Sequence, residues 1–552
     1  MNKKIFILLS FIVIIASLLR FWGLGKVPAS PDWDEVALGY NAYSIMQTGK
    51  DEYGKAMPII LRSFDDYKPA LYAYLTIPSI QAFGLNVFAV RLPSAIFGVL
   101  MVIGVFFLVK ELFKKDNFAL LSAFLLAISP WHIQFSRVAF ESGVGAALNV
   151  FWILFFIKGL KKAEYLILSA LIMGLNLYMY QSEKVFIPLV LMALIYIFRK
   201  EFFAINRKYI VTSLVVLVII SLPLIHFTLT NKEALARARG VSIFSDNTLV
   251  ERNSQKLIQD HENKDILGLV LDNRRVEYAR GVVSGYLSHF DFNWLFITGD
   301  LARHHAPNMG LMYLWELPFL LVGIYSLAIG KFSQNFGKKE KLFIFVWFLL
   351  VPIPASITSG VPHAVRTLNF LPLFQIFTAV GILAAIKEVS SIKYQVLSIR
   401  IKYLAFGVSF LFLIFNFLYY LNQYFVQQNY FTSEEWQYGY EKAIPFIQNQ
   451  QDKYDKIVVS NSAPLDQSYM FFLFYLKYDP SLYKEETKNS SGGFRENHKF
   501  GKYEFRPIVW DKENNAQKIL YVGRDKDFPP QARRLFQVNY LNGSPAISIV
   551  ER

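Results

Sequence analysis

The amino-acid sequence predicts an all-α domain that crosses a membrane many times, followed by a small α/β domain outside the membrane. Of its 552 residues, 54% are hydrophobic and 16% are aromatic, and the mean hydropathy is +0.32. Soluble enzymes rarely sustain such a composition over this length. Apolar runs of membrane-spanning length recur through residues 1–421, whereas residues 422–552 carry strand and helix patterns of ordinary polarity. We therefore place the domain boundary between Leu421 and residue 422.

About eleven apolar runs are long enough to span a bilayer as helices. The first, Ile5 to Leu24, is longer than the apolar core of a usual signal peptide, so we expect it to be retained as a helix. Pro130 and Arg137 interrupt the third and fourth runs. The predicted spans lie near residues 5–24, 87–109, 118–136, 142–157, 163–179, 184–198, 209–229, 312–330, 342–358, 366–386 and 403–421.

Alternate connections between these runs carry clusters of Lys and Arg, such as "KELFKK", "KGLKK" and "GKFSQNFGKKEK". Such clusters mark the cytoplasmic side of a membrane protein. We therefore expect a cell-membrane protein whose N-terminus is cytoplasmic and whose C-terminal domain is extracytoplasmic. The formal net charge of +15 follows this topology and does not indicate nucleic-acid binding. The chain has no cysteine, which excludes disulfides and a cysteine nucleophile.

The C-terminal domain is predicted from four strand patterns, "YDKIVVSN", "PIVWD", "KILYVG" and "AISIVER". They are rich in β-branched residues and bounded by turn residues. The stretch "KNSSGGFRENHKFGK" has the composition of a surface loop.

Three acids crowd the start of a predicted amphipathic helix in the first outer loop, residues 25–86. The segment is "SPDWDEVALGY", with Asp32, Asp34 and Glu35. Adjacent helical residues diverge by about 100°, so Asp34 and Glu35 cannot act in one direction. One could accept a proton from a reacting hydroxyl while the other holds a cation. The alternative is a solvated helix start whose acids favour the positive end of the helix dipole.

Two cations follow in the same region. Lys68 precedes Pro69, where the chain must be extended before an aromatic-rich interfacial helix. Arg91 lies at the outer start of the second span, within "FAVRLPSA". Either cation could bind a lipid phosphate, although a lone arginine at this depth commonly only reaches toward the interface.

The ordered set of an acid pair, a Lys-Pro step and this Arg motif resembles the GT-C superfamily of lipid-carrier-dependent glycosyltransferases. The similar group contains the protein O-mannosyltransferases and the lipid A aminoarabinose transferases, and the resemblance is densest over residues 30–150. It implies a GT-C type membrane fold with the active site on the first outer loop. It also implies transfer of a sugar from a polyprenyl-phosphate donor to an acceptor hydroxyl of unknown identity on the extracytoplasmic face, with inversion.

Carried over by position, the resemblance makes Asp34 and Glu35 the catalytic candidates. Asp34 resembles the general base that deprotonates the acceptor, and Glu35 resembles its structural partner, paired with Arg91 or Lys68. The leaving phosphate needs cations and no proton donor, so catalysis would be positioning and electrostatic stabilisation. Lys68 and Arg91 are accordingly expected to bind the donor phosphate.

Later segments add further candidates. In "TSGVPHAVRTLNF", His363 and Arg366 resemble the later region that holds the donor phosphate in related enzymes, with a membrane anchor as the alternative. In "SPWHIQFSRVAFES", Arg137 and Glu141 resemble a turn whose terminal acid approaches the site. Many relatives of the aminoarabinose transferase have Asp there.

The loop "TGDLARHHAPNMG" presents Arg303 and His304 as a possible secondary contact to phosphate or acceptor. His304 and His305 are adjacent and cannot both reach one metal from a regular helix, so no zinc site is expected from this pair.

No obligatory metal is predicted. Oligosaccharyltransferases of the superfamily hold a divalent ion with acids spaced as in "DWDE", but Lys68 and Arg91 can already neutralise one phosphate. The rival function is a transporter or flippase for lipid-linked sugars, which would need ionisable residues in the middle of spans. Here the charges crowd one rim.

Overall fold

A computed structural model describes residues 2–64, 66–231, 240–245, 247–330, 334, 336–391, 399–487, 497–513 and 517–552. The chain is mainly helical, with a small C-terminal sheet, which confirms the predicted fold class. The α-helices are Lys3–Phe21, Trp33–Thr48, Leu71–Phe83, Val87–Phe113, Asp116–Ile128, Pro130–Phe135, Glu141–Gly159, Glu164–Asn176, Glu183–Ile197, Arg199–Phe203, Arg207–Thr230, Asn247–Glu262, Ile266–Leu271, Arg274–Ser288, Glu316–Ala328, Lys338–Leu350, Ile353–Ser356, Leu373–Ser391, Ile399–Asn422, Gln428–Thr432, Tyr440–Gln450, Ser468–Leu476 and Pro480–Glu486.

Each predicted span contains a helix, and in the described residues five helical segments are long and apolar enough to cross a membrane. Three shorter apolar helices, Asp116–Ile128, Glu164–Asn176 and Glu316–Ala328, fall below that length. The chain is thus a membrane protein, while the number of spans stays a prediction. The five segments are Lys3–Phe21, Val87–Phe113, Glu141–Gly159, Arg207–Thr230 and Leu368–Glu388.

The third predicted span is broken where the sequence places a proline. The helix Asp116–Ile128 ends before Ser129, and a new short helix runs from Pro130 to Phe135. Proline has no N–H and fixes its own φ, so it suits the first position of a helix and interrupts the interior of one.

The chain divides into two compact units that interleave along the sequence. The first unit contains residues 1–13, 100–132 and 145–411, and the second contains 14–99, 133–144 and 412–552. The predicted division into a membrane domain up to Leu421 and a C-terminal α/β domain from residue 422 stays a prediction.

Two glycines set the closest helix packing in the first unit. A Cβ on Gly323 would overlap the carbonyl oxygen of Phe377, and one on Gly381 would overlap that of Phe319. Small residues at such crossings let helix backbones approach within a membrane, where packing rather than water exclusion favours association.

The second unit contains two β-sheets. Strands β1 (Ile60–Ser63) and β2 (Asp66–Pro69) form an antiparallel pair in the first outer loop. The C-terminal strands are β3 (Lys456–Val459), β4 (His498–Phe500), β5 (Tyr503–Phe505), β6 (Ile519–Gly523), β7 (Arg533–Asn539) and β8 (Pro545–Glu551). They form a six-stranded mixed sheet in the order β4-β5-β3-β6-β8-β7.

Three of the four predicted strand patterns are strands, namely β3, β6 and β8. The fourth, "PIVWD", is wrong, because Trp510–Lys512 form a 3₁₀ turn in which Trp510 packs edge-on against Tyr521 and Phe528. The apolar side chains of this segment, Ile508 and Trp510, therefore pack against the sheet instead of forming a strand within it. Residues 488–496 of the predicted surface loop lie outside the described residues.

Candidate active site

The first outer loop presents its acids at the start of the helix Trp33–Thr48. Asp32 is the N-cap: its Oδ1 accepts the Glu35 backbone N–H at 2.9 Å, and its own backbone N–H donates to Glu35 Oε2 at 3.2 Å. This reciprocal capping box satisfies two backbone donors that the first turn leaves open. The helix ends at Gly49, which takes the left-handed conformation at φ 68°. Asp32 therefore has a structural role.

Glu35 forms a buried ion pair with Arg91, one of the two cations, Arg91 and Lys68, that the sequence analysis offered as its partner. Arg91 donates from Nε to Glu35 Oε1 at 2.8 Å and from Nη2 to Oε2 at 2.7 Å. Both side chains are 0% exposed. Oε1 also accepts the backbone N–H of Ala139 at 2.8 Å. This bidentate geometry, with further N–H donors on both carboxylate oxygens, is what a desolvated charge pair requires.

The remaining donors of Arg91 are also used inside the protein. Nη1 donates to the carbonyl oxygens of Leu24 at 3.1 Å and Pro28 at 3.0 Å, and Nη2 donates to that of Ser30 at 2.7 Å. With the two bonds to Glu35, the five N–H groups of the guanidinium all have acceptors. This geometry argues against the predicted contact of Arg91 with donor phosphate and favours a role in holding the loop 24–30.

Asp34 points to the other side of the same turn and pairs with Lys68. The Asp34 side chain is 26% exposed, and that of Lys68 is 7% exposed. Adjacent carboxylates therefore face a buried arginine and an open surface, as the helical divergence predicted. Of the two carboxylates, Asp34 is therefore the solvent-accessible one.

Lys68 is positioned by the hairpin of β1 and β2. It pairs in register with Leu61, and Pro69 ends the strand before the helix Leu71–Phe83. The extended backbone predicted before Pro69 is thus present. Tyr72 then fixes this helix to the second span, because its hydroxyl donates to the Val90 carbonyl at 2.9 Å.

Arg137 is turned into the protein rather than toward the interface. Its Nη1 donates to the carbonyl oxygens of Leu19 at 2.9 Å and Arg20 at 3.0 Å, and its Nη2 donates to that of Val27 at 3.0 Å. Leu19 and Arg20 belong to the last turn of the first helix, whose carbonyls lack helical partners. Arg137 therefore caps that helix. Glu141 begins the helix Glu141–Gly159 and is buried.

The other predicted residues lie in the first unit, around the turn 358–367. Arg366 donates from Nη1 to Thr358 Oγ1 and to the Ser359 carbonyl, both at 2.6 Å. His363 receives no hydrogen bond at its buried Nδ1 from the described residues. Arg303 is half-buried.

An unpredicted residue, Asp300, joins this group. Its Oδ2 lies 2.9 Å from His304 Nδ1 and accepts the backbone N–H of Ala364 at 2.6 Å. Asp300, His304 and His363 each offer a metal-ligand atom, and these atoms lie within 4.8 Å of one another. No sequence spacing connects Asp300 to His363, since only the fold brings their segments together.

Burial and charge set the protonation of this group. Burial lowers the pKa of His304, and burial together with Arg366 lowers the pKa of His363 to about 2. Burial alone would raise the pKa of Asp300, but the bonds from His304 and Ala364 lower it to about 2. The two histidines are therefore neutral and the carboxylate is ionised at neutral pH.

The acids of "DWDE" are not arranged as a metal site in the described chain. Asp32 caps the helix, Asp34 pairs with Lys68, and Glu35 pairs with Arg91.

Comparison with known proteins identifies one matching family model. Residues 67–226 match the family model described as dolichyl-phosphate-mannose-protein mannosyltransferase. The matched segment contains Lys68, Arg91, Arg137 and Glu141, and begins after Asp34. A sequence search of curated proteins gives no match.

Solved structures with a similar fold include two membrane glycosyltransferases. ArnT from Cupriavidus metallidurans, solved apo and bound to undecaprenyl phosphate, superposes with a TM-score of 0.54 at 13% identity, over 98% of this chain and 97% of that chain. The archaeal oligosaccharyltransferase AglB from Archaeoglobus fulgidus, in complex with an inhibitory peptide and a dolichol-phosphate, gives 0.50 at 13% identity.

The match to AglB covers 86% of this chain and 63% of AglB, so this chain spans under two thirds of that protein. ArnT, by contrast, is covered almost end to end. The predicted resemblance is confirmed, and the chain has the fold of the GT-C superfamily of lipid-carrier-dependent glycosyltransferases.

Proposed function

We propose that this protein is a membrane glycosyltransferase that moves a sugar from a polyprenyl-phosphate donor to an acceptor hydroxyl on the extracytoplasmic face. The observation that carries the proposal is the pair of Asp34 and Lys68. It places a partly exposed carboxylate beside a cation, on a helix start that a buried ion pair holds in place. Base and phosphate binder are the two groups that this reaction needs.

Asp34 is the proposed general base. It accepts the proton of the acceptor hydroxyl while that oxygen forms a bond to the anomeric carbon of the sugar. The bond from this carbon to the phosphate oxygen breaks at the same time, and the polyprenyl phosphate leaves with the electron pair. Attack opposite the leaving group inverts the anomeric centre.

Lys68 is the proposed cation for the leaving phosphate. In the structure it is bound to Asp34, and a carboxylate held by an ammonium is a weaker base than a free one. Arrival of the donor phosphate would draw Lys68 away from Asp34. Asp34 would then be free to accept a proton only when the donor is bound. Proton transfer from the acceptor would therefore occur only in complexes that also contain the donor.

The buried pair of Glu35 and Arg91 is proposed to position Asp34. Glu35 holds the Asp32 and Ala139 backbone N–H groups and the Arg91 fork together. It thereby fixes the turn from which Asp34 projects, and it never needs to touch substrate.

Arg366 remains a proposed contact to donor phosphate. Its two Nη1 bonds hold the guanidinium at the turn 358–367, and the side chain is half-buried rather than closed off. The test is binding of a polyprenyl-phosphate analogue to Arg366→Lys, with Arg274→Lys as a control on an exposed helix. A phosphate contact predicts weaker binding in the first variant alone.

The proposed sidedness is tested with accessibility labels after Leu421 and near Asn489. Both should react from outside the cell and not from the cytoplasm. Labelling from the cytoplasm would overturn the orientation.

The activity itself is tested with purified protein and a synthetic polyprenyl-phosphate sugar, assaying release of free polyprenyl phosphate. Release that depends on acceptor, and that Asp34→Asn abolishes, is the expected result. Movement of intact donor across a vesicle membrane without release would instead indicate a flippase and contradict the proposal.

A further inference from the structure

We propose that Asp300, His304 and His363 bind one divalent transition-metal ion of the zinc class. The proposal is independent of the glycosyl-transfer reaction. It rests on the arrangement of three ligand-type side chains from two separate segments of the first unit.

The distances suit a small metal ion. The three ligand atoms lie within 4.8 Å of one another, and His304 Nδ1 and Asp300 Oδ2 are 2.9 Å apart. Tetrahedral zinc, with bonds of about 2.0–2.1 Å, sets its ligand atoms roughly 3.3 Å apart. Binding would require side-chain rotations of the imidazoles to close the remaining difference.

The backbone turn before Asp300 brings the side chains of Asp300 and His304 together. The π-helix Trp294–Thr298 ends at Gly299, which has φ 69°. A Cβ at Gly299 would lie 2.6 Å from the His305 ring, so only glycine fits there. The turn that follows places Asp300 and His304 four residues apart and in contact.

The third ligand, His363, comes from the turn 358–367, which is hydrogen-bonded to Asp300. Ala364 donates its backbone N–H to Asp300, and the His304 and His363 rings lie 5.2 Å apart between centroids. His363 Nδ1 is buried and has no hydrogen-bond partner among the described residues. A buried ring nitrogen without a partner is costly, and a metal ion would supply that partner.

The neighbouring histidines do not compete for this position. His289 donates from Nδ1 toward the Gly285 carbonyl and accepts the His363 backbone N–H at Nε2. His305 has its ring nitrogens 2.8 Å and 2.7 Å from the carbonyls of Ala306 and Asp300. The adjacent pair His304 and His305 therefore does not form a site, as the sequence indicated, but His304 finds a distant partner.

The donor set determines the class of metal. Two imidazoles and one carboxylate suit zinc and its neighbours, whereas magnesium and calcium prefer oxygen ligands alone. Three protein ligands leave a fourth position for water or an anionic oxygen. A bound ion would join the loop 299–305 to the turn that carries Arg366, and would make His363 a metal ligand instead of a direct phosphate contact.

The experiment uses the full chain purified in detergent, stripped with a chelator and titrated with Co²⁺ as a spectroscopic probe of zinc sites. We expect one equivalent with the intense visible bands of tetrahedral Co²⁺, displaced by Zn²⁺. Asp300→Asn, His304→Gln and His363→Gln should each weaken binding by roughly 100-fold or more, since loss of a mere partner of a ligand already costs 10–100-fold. His305→Gln, the adjacent histidine, is the matched control and should bind normally.

His363→Cys covers the case in which the glutamine variants do not fold. The chain has no cysteine of its own, so a thiolate-to-cobalt charge-transfer band in this variant can arise only at position 363. That band would support the site. Absence of Co²⁺ binding by the wild-type chain, or unchanged spectra in Asp300→Asn and His363→Cys, would overturn it.

Discussion

The two acids of one helical turn, Glu35 and Asp34, lie in opposite environments. On the buried face, Glu35 meets the fork of Arg91, and both side chains are fully enclosed. On the open face, Asp34 meets Lys68, and about a quarter of its side chain is exposed. The bidentate pair is rigid and saturated, whereas a point-charge ammonium can exchange partners. Exposure and a replaceable partner therefore distinguish Asp34, the proposed base, from Glu35, which holds the turn.

Another acid in the same loop, Glu52, shows how burial acts on a carboxyl group that has no arginine partner. Glu52 is 2% exposed, and its Oε1 accepts the Asn41 side-chain N–H at 3.0 Å. Its Oε2 has no hydrogen-bond partner among the described residues. Burial raises the pKa of Glu52 to about 8. Desolvation therefore favours the neutral acid at Glu52, which lacks the bidentate arginine partner that Glu35 has in Arg91.

The largest effect should come from breaking the buried pair. Glu35→Gln leaves Arg91 charged and enclosed, and removal of one partner of such a pair typically costs about 3–5 kcal/mol. We expect a strongly lowered melting temperature and little folded protein. Thermal unfolding of the purified chain measures this.

The matched control replaces both partners, Glu35→Gln together with Arg91→Met. Because no uncompensated charge remains, the double variant should recover part of the lost stability. If it is as unstable as the sum of the single variants, the pair does not act as a unit.

The next effect is on turnover. Asp34→Asn keeps the shape of the side chain but cannot take a proton, so turnover should fall by roughly 100-fold or more. The melting temperature should change little, because Asp34 is partly exposed. Near-normal release of polyprenyl phosphate by a folded Asp34→Asn protein would remove Asp34 from the mechanism.

A smaller effect is expected on donor binding. Lys68→Gln removes a charge-assisted contact worth about 1.5–3 kcal/mol, or roughly 10- to 150-fold in affinity for a polyprenyl-phosphate analogue. Lys68→Arg should retain much of the binding. Equal affinities for the wild type and Lys68→Gln would leave Lys68 as a partner of Asp34 only.

A separate effect is a pH dependence of stability. The folded chain keeps the Glu52 proton up to about pH 8, whereas an unfolded glutamic acid releases it at a pH of about 4.3. The folded state therefore binds more protons in this window, and its stability declines as pH rises from about 4.5 toward 8. Glu52→Gln should flatten that decline in melting temperature. An unchanged slope would show that Glu52 ionises normally in the folded chain.

Much of the fold and part of the site could be predicted from the sequence. Apolar length located the helices, Pro69 fixed the extended step at Lys68, and helical geometry separated Asp34 from Glu35. These are local rules, and each depends on residues within one turn or one strand.

The rest depends on contacts between distant segments. Arg137 was expected in a turn near the site, but its side chain reaches carbonyls more than a hundred positions earlier in the chain. Arg91 was expected to bind phosphate, but three carbonyls of the first loop occupy its donors. Asp300 was missed because its partner His363 belongs to another turn. The sequence shows that a residue is charged, but only the folded structure shows which groups it pairs with.

The cap that Arg137 places on the first helix has a consequence for how the chain is made. Residues 19, 20 and 27 leave the ribosome long before residue 137, and their carbonyls need another partner in the meantime. The first helix can form early, but the hydrogen bonds at its C-terminal end are completed only after the segment that carries Arg137 has been made. The loop that follows the first helix therefore reaches its final form only after residue 137 has been made.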